Sequence, residues 1–138
     1  MLLFLDLISP LPQISVIEDN KLIIIKKINK NNEDKLSDNI FKTYLEIDKD
    51  LNLHKRLKKI CFTLGPGSYT SLRVGSAFVS GLKISKNLLI SSLSIKDILN
   101  FRNNKLSIND TGVYISSSNG QNFFCWQDKK KINYNKIE

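Results

Sequence analysis

The chain is 138 residues long, with 41% hydrophobic and 25% charged residues. That is enough for one compact core, or one core and a fragment, and it excludes wholesale disorder. The formal net charge is +8, but Lys outnumbers Arg 18 to 3, so the charge lacks the planar fork that grips phosphate bidentately. The opening run Met1-Leu2-Leu3-Phe4-Leu5 is broken by Asp6 and has no basic region before it, which excludes a signal peptide or a membrane span and points to a cytoplasmic protein.

Leu2 to Ile8 has the length and apolarity of a buried strand. Beyond Pro10 and Pro12, Ile14 to Glu18 predicts a second strand, and the turn chemistry of Glu18-Asp19-Asn20 leads into a third over Leu22 to Ile28. Three strands on short turns predict an antiparallel meander. Asn29 to Asp34 is a polar linker. Leu36, Ile40, Tyr44 and Ile47, with Phe41 and Leu45 beside them, then recur at helical spacing from about Lys35 to Lys49. Asp50 to Lys58 reads as a charged connection, and Lys59 to Leu64 as a compact strand ending in Gly65-Pro66-Gly67.

Ser68 is placed to cap a helix from Tyr69 to about Ile84, with Leu72, Val79 and Leu82 on its apolar side. Leu88 to Ser91 predicts a short strand, and Ser94 to Phe101 a third helix capped by Ser94. Asn103 to Asp110 is polar and marks a boundary. Gly112 to Ser116 and Gln121 to Trp126 predict a hairpin turning at Ser118-Asn119-Gly120, where Asn-Gly favours a type I′ turn. The Lys- and Asn-rich tail from Asp128 to Glu138 is expected to fray.

The order of three strands, helix, strand, helix, strand, helix is that of the α/β ribonuclease-H-like unit found in actin, sugar kinases and Hsp70. The expected division is a complete lobe over residues 1–103 and the remnant of a second lobe, a hairpin and basic tail, over 104–138.

Gly65, Gly67 and Ser68 end a strand and open a helix, the arrangement of a backbone anion site, although two glycines and a proline would also serve to turn the chain tightly. No Gly-Lys-Ser/Thr ending follows, so it is not a Walker loop. The helix carries Ser71, Gly75, Ser76, Ala77, Ser80 and Gly81, small side chains that allow an approach closer than the usual ~8–10 Å between helix axes. One side must pack on its own sheet; another suits a helix of a second protein.

Cys61 and Cys125 lack CxxC spacing and read as buried free thiols in a reducing compartment. The single histidine, His54, reads as a solvated connection residue. One histidine supports neither a metal-hydrolase ligand set nor a Ser-His-Asp or Cys-His arrangement.

Gly-Pro-Gly-Ser-Tyr-Thr-Ser-Leu-Arg-Val-Gly over Gly65 to Gly75, followed by Ala77 and Gly81-Leu82, resembles the signature GPGSFTGLRIG…A…GLA of the TsaB (YeaZ) family. That family supports the modification of tRNA to threonylcarbamoyladenosine. The differences are Tyr69 for Phe, Ser71 for Gly and Val74 for Ile. Phe4-Leu5-Asp6 resembles the family's opening strand and its Asp, and Leu88, Ile90, Ser92 and Ser94 resemble the segment after the signature helix, so the similarity covers residues 1–126.

The resemblance implies an actin/Hsp70-like (ASKHA) fold. It also implies a non-catalytic subunit whose first two long helices pack against a TsaD-like threonylcarbamoyl transferase. The contact surface would then fall on Leu36, Ile40, Phe41 and Tyr44, and on Tyr69, Leu72, Arg73, Gly75, Ser76 and Val79. A TsaE-like ATPase is a further partner it implies, a homodimer is an alternative when the chain is alone, and tRNA enters indirectly. It implies no cofactor of its own, beyond a nucleotide at the joint interface.

Three departures stand out. Lys35 replaces a His common at the start of the first helix. The family's Asp-Ala-Arg-x-Gly-Glu-Val-Tyr segment is represented by Ser116 to Phe123, without its Asp and Arg. Relatives also continue through most of a second lobe. After Asp6, Leu7-Ile8-Ser9-Pro10-Leu11-Pro12 offers prolines and aliphatic groups where a phosphate-wrapping hairpin needs small residues and free amides, which argues against a nucleotide-using ASKHA enzyme. The remaining alternative is a basic RNA-binding module using Lys55, Arg56, Lys58, Lys59 and Lys129 to Lys131.

Overall fold

A computed structural model describes residues 1–29, 34–106, 112–116, 121–128 and 131–137. Among these, strands β1 (Leu2–Asp6), β2 (Gln13–Glu18), β3 (Lys21–Lys27), β4 (Lys59–Thr63) and β5 (Leu89–Leu93) form one sheet in the order β3-β2-β1-β4-β5. β1, β2 and β3 are antiparallel neighbours, while β4 pairs parallel with both β1 and β5. This is the predicted meander followed by crossovers, and the α/β ribonuclease-H-like expectation holds. The β2–β3 turn has positive φ at Asp19 (49°) and Asn20 (62°), the two-residue type I′ geometry that matches strand twist.

Alternation along β1 splits its side chains between the two faces of the sheet. Leu3 and Leu5, with Ile14, Val16 and Ile60, form a core beneath helices α1 (Leu36–Leu51) and α3 (Tyr69–Ser85), which supply Leu36, Ile40, Tyr44, Ile47 and Val79. Phe4 and Asp6 point to the other side, toward helix α4 (Ile95–Leu106). There Ile95 and Leu99 build a second core cluster with Ile8, Ile115 and Cys125.

The connection expected over Asp50 to Lys58 is more ordered than its charge suggested. Asn52 adopts a left-handed backbone (φ 54°) that ends α1 and starts the one-turn helix α2 (Leu53–Arg56), because Leu53 and Leu57 are buried in the first core. His54 is accordingly not a loop residue. Its backbone N–H and its ring Nδ1, 2.9 Å away, both engage the Asp48 carboxylate.

The third helix begins as predicted: Ser94 Oγ accepts the Asp97 N–H at 3.2 Å while Asp97 Oδ2 accepts the Ser94 N–H at 2.8 Å, a reciprocal cap. It runs on to Leu106, carrying the chain through Asn103, whose amide meets Gln127 at 3.1 Å.

The tail corrects another expectation. Strands β6 (Gly112–Ser116), β7 (Asn122–Asp128) and β8 (Lys131–Ile137) form an antiparallel sheet in that order. The tail pairs instead of fraying because the open edge of β7 offers backbone partners to every residue of β8. The turn expected at Ser118-Asn119-Gly120, most of the polar linker and Lys129 and Lys130 lie outside the described residues.

Candidate functional site

The site is built where β4 hands over to α3. The Gly65-Pro66 peptide is cis, and Ser68, buried, accepts the Ser71 N–H on its Oγ at 3.3 Å as the predicted N-cap. The two glycines pack closely. A Cβ at Gly67 would stand 3.2 Å from Ile8 Cγ2, and one at Gly65 3.2 Å from Leu72 Cδ1. Beside this turn lies a cavity of about 320 Å³ at the joined N-terminal ends of α1 and α3, lined by Asn29, Lys35, Ser37, Ser68, Thr70 and Ser71 among others. Of the candidate anion turn, Ser68 lines this space between two positive helix ends, which Pro12, Leu36 and Val74 also wall.

The ten residues assigned to a partner surface separate into two groups. Leu36, Ile40, Tyr44 and Val79 are buried in the first core, and Leu72 and Gly75 face inward. Gly75 explains part of the small-residue pattern without a partner, since a Cβ there would lie 2.3 Å from Leu7 Cδ1, a side chain 1% exposed. The helix approaches the loop after β1 so closely that only glycine fits without repacking.

Phe41 (54% exposed), Tyr69 (71%), Arg73 and Ser76 are at the surface. Behind Phe41 the rings are fixed: Tyr44 stacks on it at 6.4 Å and meets Phe78 edge-on at 5.6 Å, tying α1 to α3. Burial, and then the nearby Asp48 carboxylate, push the Tyr44 hydroxyl pKa up, keeping it neutral. Arg73 lies over the Tyr69 ring at 5.4 Å, a cation–π contact between neighbouring turns of the helix.

The same face includes Leu45, Ala77, Ser80, Gly81 and Ile84, all exposed. These follow from four-residue spacing off Phe41 and Arg73, which was visible in the sequence but unusable until the inward side of each helix was known. A Cβ on Gly81 would meet nothing within 4 Å. The face therefore combines Phe41, Leu45, Tyr69 and Ile84 with the cations Arg73 and Lys83 and the small residues Ser76, Ala77, Ser80 and Gly81, a surface suited to receive a helix.

Asp6 faces a second, mostly apolar cavity of about 350 Å³, walled by Phe4, Ile8, Pro10, Ile95, Ile98 and Val113. Its carboxylate is committed to the turn, accepting the N–H groups of Ile8 and Ser9 at 3.2 Å each and the Ser9 hydroxyl. Asp6 thus holds the turn after β1. Among the described residues no three His, Cys, Asp or Glu side chains gather as a metal would require, and no helix is long and apolar enough to cross a membrane. Cys125 is buried and its thiol pKa is pushed up by burial, whereas Cys61 is half-buried, more open than expected. Of the cations considered for RNA, Arg56 is held by both Glu18 carboxylate oxygens at 2.8 Å.

A family model described as TsaD, tRNA N6-adenosine threonylcarbamoyltransferase, matches residues 28–125. No curated protein matches the sequence. Among solved structures, YeaZ from Pseudomonas aeruginosa superposes with a TM-score of 0.66 at 14% identity, covering 97% of this chain and 63% of that one. A protein with similarity to peptidase YeaZ, also from Pseudomonas aeruginosa, gives 0.58 at 15% identity, covering 97% and 62%. The ethanolamine utilization protein EutJ from Carboxydothermus hydrogenoformans gives 0.50 at 16%, covering 98% and 50%. The fold is thus YeaZ-like, and the chain spans less than two thirds of the length of each of these structures.

Proposed function

Since this chain belongs to the TsaD family of tRNA N6-adenosine threonylcarbamoyltransferase, with a YeaZ-like (TsaB-like) fold, we propose that it is a non-catalytic subunit in threonylcarbamoyl modification of tRNA, supporting a TsaD-like transferase. The observation that carries this reading is the exposed α1–α3 strip. It exposes Phe41, Tyr69 and Arg73, the last lying over the Tyr69 ring, together with the small residues Ser76, Ala77, Ser80 and Gly81. Among the described residues no other element covers this face, and a row of small side chains suits a helix of the transferase more than a small substrate.

The buried members of the original ten residues would act indirectly, Tyr44 by fixing Phe41 and Gly75 by seating α3. The Gly65–Gly67–Ser68 turn would offer an anion site at the adjoining helix ends, where the transferase, an ATPase or a shared nucleotide could present a phosphate. The lobe division near residue 103 is kept as part of this proposal, with α4 as the element both sheets share.

The test is co-purification with a TsaD homologue from the same organism. The complex is expected to form with the native chain and to be lost with Arg73→Glu and weakened with Ser76→Leu, while both variants retain native circular dichroism. A complex unaffected by both changes would remove the α1–α3 assignment.

A further inference from the structure

The charges on α1 and α3 are unevenly paired. The two helices carry four carboxylates, Asp38, Glu46, Asp48 and Asp50, and four cations, Lys42, Lys49, Arg73 and Lys83. Three of the carboxylates are engaged inside the chain. Lys26 of β3 reaches Glu46 at 3.3 Å and Asp50 at 3.8 Å, and the His54 ring nitrogen lies 2.9 Å from Asp48. Among the described residues none of the four cations has an ion-pair partner. Arg73 lies over the Tyr69 ring instead, a contact that brings it no carboxylate.

Helix geometry gathers the unpaired cations on the outward side. α3 contains no acidic residue, and its Arg73 and Lys83 are exposed beside Ser76, Ala77, Ser80 and Gly81. On α1, Lys42, Leu45 and Lys49 follow one another at three- and four-residue spacing and so share a side. All three are exposed, whereas Ile40, Tyr44 and Ile47 are buried on the other side. Asp38, one turn before Lys42, is the carboxylate left on α1 without a cation, and it accepts the Ser37 hydroxyl at 2.9 Å.

A second copy of the chain seated on this face would bring unpaired cations against unpaired cations, and such like-charge contacts oppose docking. A helix of another protein that carries carboxylates meets the opposite case. The small residues of α3 admit its backbone closely, and its acids find cations that no carboxylate of this chain already holds. We propose that the α1–α3 face selects an acidic helix of a different protein and rejects self-pairing by charge. This selectivity rests on the same face being the partner surface, and adds to it the chemistry of the partner's helix.

The full chain is titrated at low salt with two amphipathic helical peptides of one apolar pattern, one carrying Glu and the other Lys at the flanking positions, and its backbone amides are followed by NMR. The Glu peptide is expected to shift Phe41, Ala77 and Ser80 and to bind about tenfold or more tightly than the Lys peptide. Lys83→Glu should remove most of that preference. Lys59→Glu should leave it, since Lys59 alternates with the buried Ile60 and points away from both helices. Lys83 and Lys59 are both exposed, so neither change threatens the fold. Sedimentation of the native chain at the same salt should show a monomer. Equal affinity for the two peptides, binding of neither, or a native dimer that Ser76→Leu disrupts would overturn the proposal. So would a loss of preference as large in Lys59→Glu as in Lys83→Glu, which assigns the effect to net charge alone. Preference for the Glu peptide without a complex with the TsaD homologue would sink the subunit reading and leave this one standing, and a complex without that preference would do the reverse.

Discussion

The two sheets differ in how their faces are used. The five-stranded sheet has its Leu3–Leu5 side sealed by α1 and α3 and α4 against part of the other, with Leu3, Leu5, Ile14, Val16 and Ile60 all removed from water. The three-stranded sheet has α4 on one face and an open row of aromatic rings on the other. The fully buried side chains are thus concentrated in the first, although its edge strands also leave Leu22, Ile23, Ile25 and Leu89 exposed, while the second exposes Tyr114 and Phe124. A sheet is committed to packing only on the face that a helix covers.

The largest effect should come from the sealed face. Leu3→Ala, in the central strand, is expected to lose about 2–5 kcal/mol of stability, against less than about 0.5 kcal/mol for Ile137→Ala on the open sheet, read from urea midpoints. Similar losses at both would break the comparison. Gly75→Ala forces a methyl onto Leu7 and should cost about 1–3 kcal/mol in the same assay.

Arg73→Glu separates binding from folding. Its thermal midpoint should stay close to that of the native chain while affinity for a TsaD-like partner falls by about tenfold or more, measured by calorimetry. Gly81→Ala, six residues beyond Gly75 on the same helix but open to solvent, should stabilise by up to about 1 kcal/mol.

The smallest effect concerns the α1–α2 corner. Burial disfavours ionisation of Asp48, but the His54 backbone and ring nitrogens outweigh it and hold the carboxyl below its usual range. A lowered folded-state pKa contributes stability above the ordinary carboxylate value of about 4 and loses it as pH falls through the lowered one. Asp48→Asn should therefore lower the midpoint slightly at neutral pH, with the difference vanishing in acid, as thermal scans across pH would show.

Much of the first lobe was legible because its signals are local. The Asp19-Asn20 turn, the Ser68 and Ser94 caps and the helical spacing of Leu36, Ile40, Tyr44 and Ile47 each act within a few residues of chain. The α2 turn and β8 were not legible for the opposite reason. Leu53 and Leu57 are isolated among charges and become core residues only because α1 ends over them, and β8 is a strand because β7 has a free edge. The proposed partner surface was half legible. The family resemblance pointed to Phe41 and Arg73 together with Ile40 and Val79, but neither it nor helical spacing says which side of a helix faces its own sheet.

The amino-acid sequence by itself determined the element order, the tight turn into α3 and the family signature on it, since these depend on backbone conformations and caps that neighbouring residues dictate. Tertiary structure alone decided that Gly75 serves the chain's own packing while Phe41, Tyr69 and Arg73 face outward, and that Tyr114 and Phe124 of the second sheet stand open. Burial is a property of what lies across from a residue, and for these residues that neighbour comes from a distant part of the chain or is absent.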